Sequence, residues 1–212
     1  MDAGPVVVVL AAGRGARFDA ARRGLGHKLA QPFGDTTVLG STLAAVVASG
    51  LPRVVVTIET LRASASRWVG DDDVIVLPPI DGSDPTRGMG DSIAAGIMAR
   101  PHGSGWLLLP GDLPLIQAAT LQTVVAARAE QLVVYAQHQG RRGHPVGFDK
   151  ALYSELAGLR GDEGARRMLA RYPAHAVEVP DAGVRMDLDT EADLEVLRAL
   201  HAARMPSAAV PG

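Results

Sequence analysis

The fold is decided near the amino terminus by the stretch Val6-Val7-Val8-Val9-Leu10-Ala11-Ala12-Gly13-Arg14-Gly15. Its continuous apolar run predicts a strand buried on both faces, as in parallel sheets covered by helices on both sides. The glycines that follow predict a tight turn from strand to helix. Because glycine adopts positive φ readily, successive N–H groups there can point inward as a nest for an anion. Arg14 and Arg17 add guanidinium donors that suit phosphate oxygens, so the loop is a candidate phosphate cradle.

Two common phosphate cradles do not match this loop. A P-loop needs Gly-Lys-Ser/Thr after its spacer, and the chain has no such sequence there. A dinucleotide-binding fingerprint needs a third glycine at the position that Phe18 occupies. By itself, a plain strand-to-helix turn with solvated arginines explains the stretch as well as a cradle does.

Strands alternate with helices along the rest of the chain. The further predicted strands are 53–58, 74–77, 106–109, 132–137, 145–148 and 176–179, and the predicted helices are 38–49, 61–69, 88–100, 115–129, 151–159, 165–172 and 191–204. This alternation predicts an α/β fold with a mostly parallel sheet and helices on both faces. No repeat or long linker divides the chain, so we expect a single domain over 1–205 and a disordered tail at 206–212.

Composition excludes several classes of protein. The chain has 212 residues, of which 47% are hydrophobic and 21% charged, and this balance excludes extensive disorder. A formal net charge of −2 makes a nucleic-acid binder that works by bulk charge a poor candidate. The absence of cysteine excludes disulfides, zinc–thiolate sites and a cysteine nucleophile. No apolar run is long enough to span a membrane and no signal peptide is evident, so a cytoplasmic location is expected.

The loops that follow the predicted strands carry the candidate chemistry, because ligands of open parallel sheets bind outside the carboxyl ends of the strands. These loops are 11–28, 80–92, 110–114, 140–145 and 158–166. Asp112 is placed to hold Mg²⁺ together with phosphate oxygens, or else to cap the helix predicted to start near Pro114. Asp187 and Asp189 lie on one side of an extended stretch, but Asp189 or Thr190 is also a natural N-cap for the last helix.

Histidine and serine offer weaker indications. His144 precedes a proline in a glycine-rich stretch, whereas the other five histidines show no metal-like spacing and are assigned no role. Ser92 stands at the start of a predicted helix, where it can cap the helix, bind a ligand or do both.

Six segments occur in a fixed order between residues 6 and 197. They are Leu10-Ala11-Ala12-Gly13-Arg14-Gly15-Ala16-Arg17-Phe18, Gly88-Met89-Gly90-Asp91-Ser92-Ile93-Ala94-Ala95-Gly96, Leu109-Pro110-Gly111-Asp112-Leu113-Pro114, Gly140-Arg141-Arg142-Gly143-His144-Pro145-Val146-Gly147-Phe148, Gly161-Asp162-Glu163-Gly164-Ala165-Arg166, and Asp187-Leu188-Asp189-Thr190 with Asp193-Leu194. Together they resemble the molybdenum cofactor cytidylyltransferase group of the MobA-like NTP transferase family. The family lysine is matched by Lys28, which follows an insertion at 19–27.

The resemblance implies a single-domain Rossmann-like nucleotidyltransferase fold. It also implies transfer of CMP from CTP to the phosphate of the molybdenum-pterin cofactor, with Mg²⁺ bound and a molybdenum hydroxylase apo-enzyme as a possible recipient of the product. The implied roles are catalytic for Arg17, Lys28 and Asp112; nucleotide-binding for Leu10, Ala11, Ala12, Gly13, Arg14, Gly15, Gly88, Ser92 and Asp112; substrate-binding for Gly143, His144, Pro145, Asp162, Gly164 and Arg166; and metal-binding for Asp112 and Asp187.

Two expectations and two alternatives accompany this interpretation. The methyl group of Ala12 is expected to narrow the base slot and favour CTP over GTP, and the insertion at 19–27 is expected to be a mobile lid. One alternative is an NAD(P)-dependent oxidoreductase on a Rossmann-type sheet, for which Glu59 is the acidic candidate after the second strand. The other is a non-catalytic carrier of the pterin cofactor.

Overall fold

A seven-stranded sheet organises the computed structural model, which describes residues 4–13, 15, 18, 26–78 and 88–204. Its strands lie in the order β5-β4-β1-β6-β8-β7-β9, and β2 pairs only with β3. The bounds are β1 Val6–Ala11, β2 Pro32–Phe33, β3 Thr36–Thr37, β4 Arg53–Ile58, β5 Val74–Leu77, β6 Gly105–Pro110, β7 Val133–His138, β8 Arg141–Asp149 and β9 His175–Glu178. Within the sheet only the pairings of β8, with β6 and with β7, are antiparallel. The predicted mostly parallel sheet is therefore confirmed.

Helices cover both faces of this sheet. The described helices are α1 Val38–Ala48, α2 Glu59–Ser66, α3 Met89–Ala99, α4 Ala118–Arg128, α5 Tyr153–Ala157, α6 Gly164–Arg171 and α7 Glu191–Arg204. Short 3₁₀ turns at Lys28–Ala30, Asp71–Asp73, Lys150–Leu152, Gly161–Glu163 and Ala182–Arg185 complete the chain. No helix in these described parts is long and apolar enough to cross a membrane.

The alternation of side chains along the first strand divides the core into two clusters. Val7 and Val9 face the cluster built with α1, α2, α4 and α7, while Val6 and Val8 face the cluster built with α3, α5 and α6. Both clusters bury aliphatic side chains almost completely, because each β1 residue is covered by helices whichever way it points. This is the arrangement that the unbroken valine run predicts.

The structure shows how two predicted helices pack and where they begin. In α3, Ile93 and Ile97 are fully buried, whereas Met98 is 50% exposed. The helix predicted from residue 115 starts only at Ala118, after a buried loop.

The predicted loop at 140–145 is also wrong. β8 begins at Arg141 and continues to Asp149, because a tight turn at Gln139 and Gly140 folds it back onto β7. Both turn residues adopt positive φ (49° and 72°), as two-residue hairpin turns require. The segment expected to bind substrate is therefore built into the sheet.

One edge of the sheet gathers the candidate residues. β1, β4, β5, β6 and β7 run in one direction, so their carboxyl ends meet there, and the antiparallel β8 starts there. α3 begins at the same edge, since its far end at Arg100 accepts a hydrogen bond from Trp106 at the start of β6. The site is expected at this carboxyl edge.

Candidate active site

The centre of the carboxyl edge is an ion pair between Lys28 and Asp112. The Lys28 Nζ donates to Asp112 Oδ2 at 2.6 Å and to the carbonyl oxygen of Leu188 at 2.6 Å. Asp189 Oδ1 lies 3.7 Å from the same ammonium. The Lys28 and Asp112 side chains are only 15% and 16% exposed. Two distant parts of the chain, at 112 and at 188–189, thus surround one cation with oxygen atoms.

The backbone on both sides of Asp112 is held by neighbouring segments. Gly111 N donates to the Leu10 carbonyl oxygen at 2.9 Å, and Leu188 N donates to the Asp112 carbonyl oxygen at 3.1 Å. The Thr42 hydroxyl donates to the Gly111 carbonyl oxygen at 3.0 Å. The loop after β6 is therefore fixed between the end of β1, helix α1 and the segment that precedes α7.

Lys28 is connected to the glycine loop through its neighbour His27. His27 Nδ1 accepts a hydrogen bond from Leu29 N at 3.2 Å, so Nε2 carries the proton and donates to the Gly13 carbonyl oxygen at 2.8 Å. Gly15 has φ of +64°, and a Cβ at this position would lie 3.4 Å from Lys28 Cγ. His27, to which the sequence assigned no role, therefore joins the candidate cradle to the lysine. Its place beside Lys28 was the only signal.

Negative charge exceeds positive charge at this centre. Partial desolvation raises the pKa of the Asp187 carboxyl, and the charges of Asp112 and Asp189 act in the same direction. Asp112 Oδ1 is buried and has no hydrogen-bond partner. Three carboxylates thus share one ammonium, which suits a further cation. In the described part of the chain no group of three or more His, Cys, Asp or Glu side chains is arranged to hold a metal.

The interpretation of Asp112 as a helix cap is wrong. Helix α4 starts only at Ala118, with Gln117 at its N-cap position and no side-chain cap hydrogen bond. Asp181, which is 1% exposed, anchors this start instead, since its Oδ2 accepts from Gln117 N at 2.9 Å and from the Thr120 hydroxyl at 2.8 Å. Asp112 is left available for a different partner.

The choice between Asp189 and Thr190 as cap of α7 is settled by a reciprocal pair. Thr190 Oγ1 accepts from Asp193 N at 3.2 Å, while Asp193 Oδ2 accepts from Thr190 N at 2.7 Å. This is a capping box, with Thr190 as the cap. Asp189 is the residue near Lys28.

At the start of α3, Asp91 links two of the predicted segments. Its Oδ2 accepts hydrogen bonds from Gly88 N and from Gly161 N, each at 2.9 Å. A Cβ on Gly88 would lie 2.5 Å from the carbonyl carbon of Gly161, so only glycine fits there. Gly88 is the cap residue and Ser92 is buried one turn later, so Ser92 does not cap the helix. Asp91 was missed, although an acidic residue three positions after a cap is a recognised signal.

The predicted substrate residues of β8 lie where its pairing with β7 is irregular, between Val146 and Arg142. Gly143 is buried where a Cβ would meet the Val184 carbonyl oxygen at 2.3 Å, and Pro145 is also buried. His144 is partly buried, and its Nδ1 is buried without a hydrogen-bond partner. Desolvation lowers the pKa of His144, whereas the negative charge of Asp112 opposes that shift.

Comparison with known proteins identifies the family. The model of the MobA-like NTP transferase domain matches residues 7–179. The chain belongs to this family. The protein is therefore a nucleotidyltransferase, as the six ordered segments indicated. This membership does not support the oxidoreductase interpretation.

Relatives of this MobA-like transferase cover nearly its whole length. The purine catabolism protein PucB of Bacillus subtilis (strain 168) is 30% identical over 203 residues, covering 90% of this chain and 94% of PucB. The crystal structure of Rv0371c from Mycobacterium tuberculosis H37Rv is 30% identical with a TM-score of 0.76, over 94% of this chain and all of that one (100%). A manganese complex of Rv0371C is 27% identical with a TM-score of 0.74, over 94% and 100% of the two chains.

The remaining predicted site residues of this MobA-like chain fall into three groups. Gly164 is buried, with φ of +49° against Met89, while Asp162 and Arg166 are exposed. Leu10, Ala11 and Ala12 line the end of β1, and their side chains belong to the core clusters. Arg14, Arg17, the tail from 205 and most of the 19–27 insertion (19–25) lie outside the described residues.

The structure alters the argument about Ala12. This side chain is 3% exposed and packs in the cluster under α3. Its methyl group therefore faces the core, and the expected preference for CTP rests on the resemblance rather than on a direct steric limit.

Proposed function

We propose that this nucleotidyltransferase transfers CMP from CTP to the phosphate group of the molybdenum-pterin cofactor. A phosphate oxygen of the acceptor attacks the α-phosphorus of CTP, the bond from that phosphorus to the bridging oxygen breaks, and pyrophosphate leaves with the electron pair. The observation that carries the proposal is the Lys28–Asp112 centre beside the glycine loop of a MobA-like chain. The six ordered segments support the choice of nucleotide and acceptor.

The residues at the centre fit a divalent cation. Asp112 Oδ1 is buried and unpartnered, and Asp187 adds a second carboxylate in its electrostatic neighbourhood. One or two carboxylates completed by phosphate oxygens and water form the set that Mg²⁺ prefers. We assign Asp112 and Asp187 as its ligands, and a manganese complex of the related Rv0371C supports divalent metal binding. When bound, Mg²⁺ neutralises the charge of the triphosphate.

The other residues bind and orient the two substrates. In the proposal, the N–H groups of the Gly13–Gly15 turn, together with Arg14 and Arg17, hold the triphosphate, and Lys28 moves from its carboxylate partners to the leaving pyrophosphate. The end of β1 (Leu10, Ala11 and Ala12) binds the nucleotide through its backbone, and Gly88 and Ser92 complete that side of the site. The acceptor contacts are assigned to Gly143, His144, Pro145, Asp162, Gly164 and Arg166. No protein nucleophile is needed, because this chemistry depends on positioning and charge neutralisation.

The decisive experiment is a screen of the four ribonucleoside triphosphates for pyrophosphate release with molybdopterin and with its molybdenum form. We expect release and a cytosine dinucleotide product with CTP, and no release when the acceptor is omitted. Pterin binding without pyrophosphate release would identify a carrier. If CTP released pyrophosphate only with a phosphate acceptor that is not a pterin, the acceptor named in the proposal would be wrong. In the proposal, the dinucleotide product passes to a molybdenum hydroxylase apo-enzyme. A pull-down of this protein with that apo-enzyme tests the step.

A further inference from the structure

The start of β8 brings a basic side chain to the carboxyl edge of the sheet. Arg142 pairs with Gln137 near the end of β7. Between Val146 and Arg142 the pairing of β8 with β7 is irregular, and His144 lies in this irregular part. The pKa of His144 responds to the charges of both Asp112 and Arg142, which places the imidazole within electrostatic range of both. Arg142 and the Lys28–Asp112 centre therefore share one electrostatic neighbourhood at this edge.

Arg142 is held in place by an aromatic platform. Its Cζ lies 4.5 Å from the centroid of the Tyr135 ring, a cation–π contact. Tyr135 is itself packed against the core cluster on the α3 side of the sheet, so the platform is rigid. Stacking leaves the edges of the guanidinium free to donate, and the side chain is exposed. Among the described residues no carboxylate forms an ion pair with it, so its charge is uncompensated within that part of the chain.

Arg141 provides an internal contrast with its neighbour. Side chains alternate along a paired strand, and Arg142 pairs with Gln137 whereas Arg141 pairs with His138, so the two arginines point to opposite faces of the sheet. Both arginines are exposed and have the same formal charge. Of the two, only Arg142 stacks on Tyr135.

We propose that Arg142, braced by Tyr135, binds the phosphate group of the acceptor and so selects phosphomonoester acceptors. The inference rests on the proposed function, because it names the group that receives the nucleophilic phosphate. A planar guanidinium donates two parallel hydrogen bonds to two phosphate oxygens and leaves the third oxygen free to attack the α-phosphorus. Arg142 exchanges no proton in this step. It is a specificity-determining residue.

The test is a comparison of Arg142→Gln, Arg142→Lys and Arg141→Gln with the wild type, with KM measured separately for acceptor and CTP. Losing hydrogen bonds to a charged group corresponds to about a 10- to 100-fold rise in the acceptor KM for Arg142→Gln. The CTP KM and kcat should change less than about 3-fold, since a contact made equally in the ground and transition states affects KM alone. Arg142→Lys should recover part of the loss, because the charge remains while the planar fork is gone. Arg141→Gln should behave as wild type.

Two outcomes overturn the inference while leaving the proposed function intact. The first is a wild type that transfers CMP and an Arg142→Gln variant with an unchanged acceptor KM. The second is an equal rise of the acceptor KM in Arg141→Gln. That result would show that the positive charge acts at a distance and that Arg142 makes no specific contact. A folded wild type that transfers no CMP to the pterin acceptor would overturn the proposed function and, with it, this inference. Thermal melts of all variants establish that each is folded.

Discussion

At the scale of single residues, the two oxygens of Asp112 have different environments. Oδ2 accepts from Lys28 at 2.6 Å, whereas Oδ1 is buried without a partner. Removing the charge by Asp112→Asn keeps the size and one acceptor oxygen. We expect cytidylyl transfer at saturating Mg²⁺ to fall by about 10²-fold or more, because charge builds on the leaving pyrophosphate in the transition state.

The control for this prediction is Asp35→Asn, which changes an exposed carboxylate in the turn between β2 and β3. Both variants should melt near the wild-type temperature. A folded Asp112→Asn protein with near-normal turnover would contradict the metal assignment and weaken the proposed function.

Lys28 also has a testable effect on metal binding. Its ammonium binds the oxygen atoms that a divalent cation would also need, because it contacts Asp112 and the Leu188 carbonyl and lies near Asp189. Lys28→Met removes the positive charge, and one unit charge near 4 Å is worth about 4 kcal/mol at an effective dielectric constant of 20. We expect Mn²⁺ affinity without nucleotide to rise by about tenfold or more, while CMP transfer is lost.

Electron paramagnetic resonance of free Mn²⁺ measures this affinity directly. The matched control is Lys150→Met, at the other lysine of the chain, which should leave the affinity unchanged. Weaker Mn²⁺ binding in Lys28→Met would show that the lysine does not compete with the metal.

At the scale of elements, Gly143 fixes the distance between β8 and the turn at Ala182–Arg185. A methyl group there would lie 2.3 Å from the Val184 carbonyl oxygen. We expect Gly143→Ala to destabilise the protein by about 1–3 kcal/mol, through a shift of backbone that has no room to move. Thermal or urea unfolding gives the value. Gly70→Ala is the control, since a Cβ there meets nothing within 4 Å and φ is an ordinary −64°, and an equal loss in both would contradict the steric account.

The capping box of α7 predicts a pH-dependent contribution to stability. Hydrogen bonding to the Thr190 side chain, with smaller help from two backbone N–H groups, lowers the pKa of Asp193. Because the pKa is depressed in the folded state, the stabilisation is present above the unfolded value of about 4 and is lost as the pH falls below it. Loss of a cap costs about 1 kcal/mol, which corresponds to about 2–4 °C for a chain of this size.

This prediction is checked by melting wild type and Asp193→Ala at pH 7 and near pH 3. The difference in Tm should be clear at pH 7 and small near pH 3. Glu195→Ala, at an exposed position of the same helix, should show no such dependence. A constant difference at both pH values would count against the ionised cap.

At the scale of the whole molecule, binding of the correct nucleotide should stabilise the fold. The site joins the end of β1, the loop after β6 and the segment before α7, so a triphosphate with Mg²⁺ would connect all three. Saturation at 100 times Kd adds about 2.7 kcal/mol to the free energy of unfolding. We expect a larger thermal shift with CTP–Mg²⁺ than with GTP–Mg²⁺, and none with NADPH. A GTP preference would refute the predicted base choice.

The sequence by itself determined the architecture and the family. Local signals were sufficient, because a buried parallel strand needs an unbroken apolar run such as Val6–Leu10 and because Gly50 marks the end of α1 with φ of +71°. The six ordered segments alone indicated a MobA-like transferase, and the family comparison confirmed it. The local pattern around Arg141 and Arg142 predicted a loop, but both residues pair with β7, so that prediction was wrong.

Only the tertiary structure decided how the site is assembled. Lys28 meets Asp112 and Leu188 across 84 and 160 residues of sequence, and no local pattern encodes such contacts. The same is true of Asp91, which joins Gly88 to Gly161, and of Asp181, which accepts from Gln117 N at the start of α4. The physical reason is that hydrogen bonds and ion pairs depend on distances of a few ångströms. Those distances are set by the packing of the sheet and its helices, whereas periodicity and turn signals depend only on neighbouring residues.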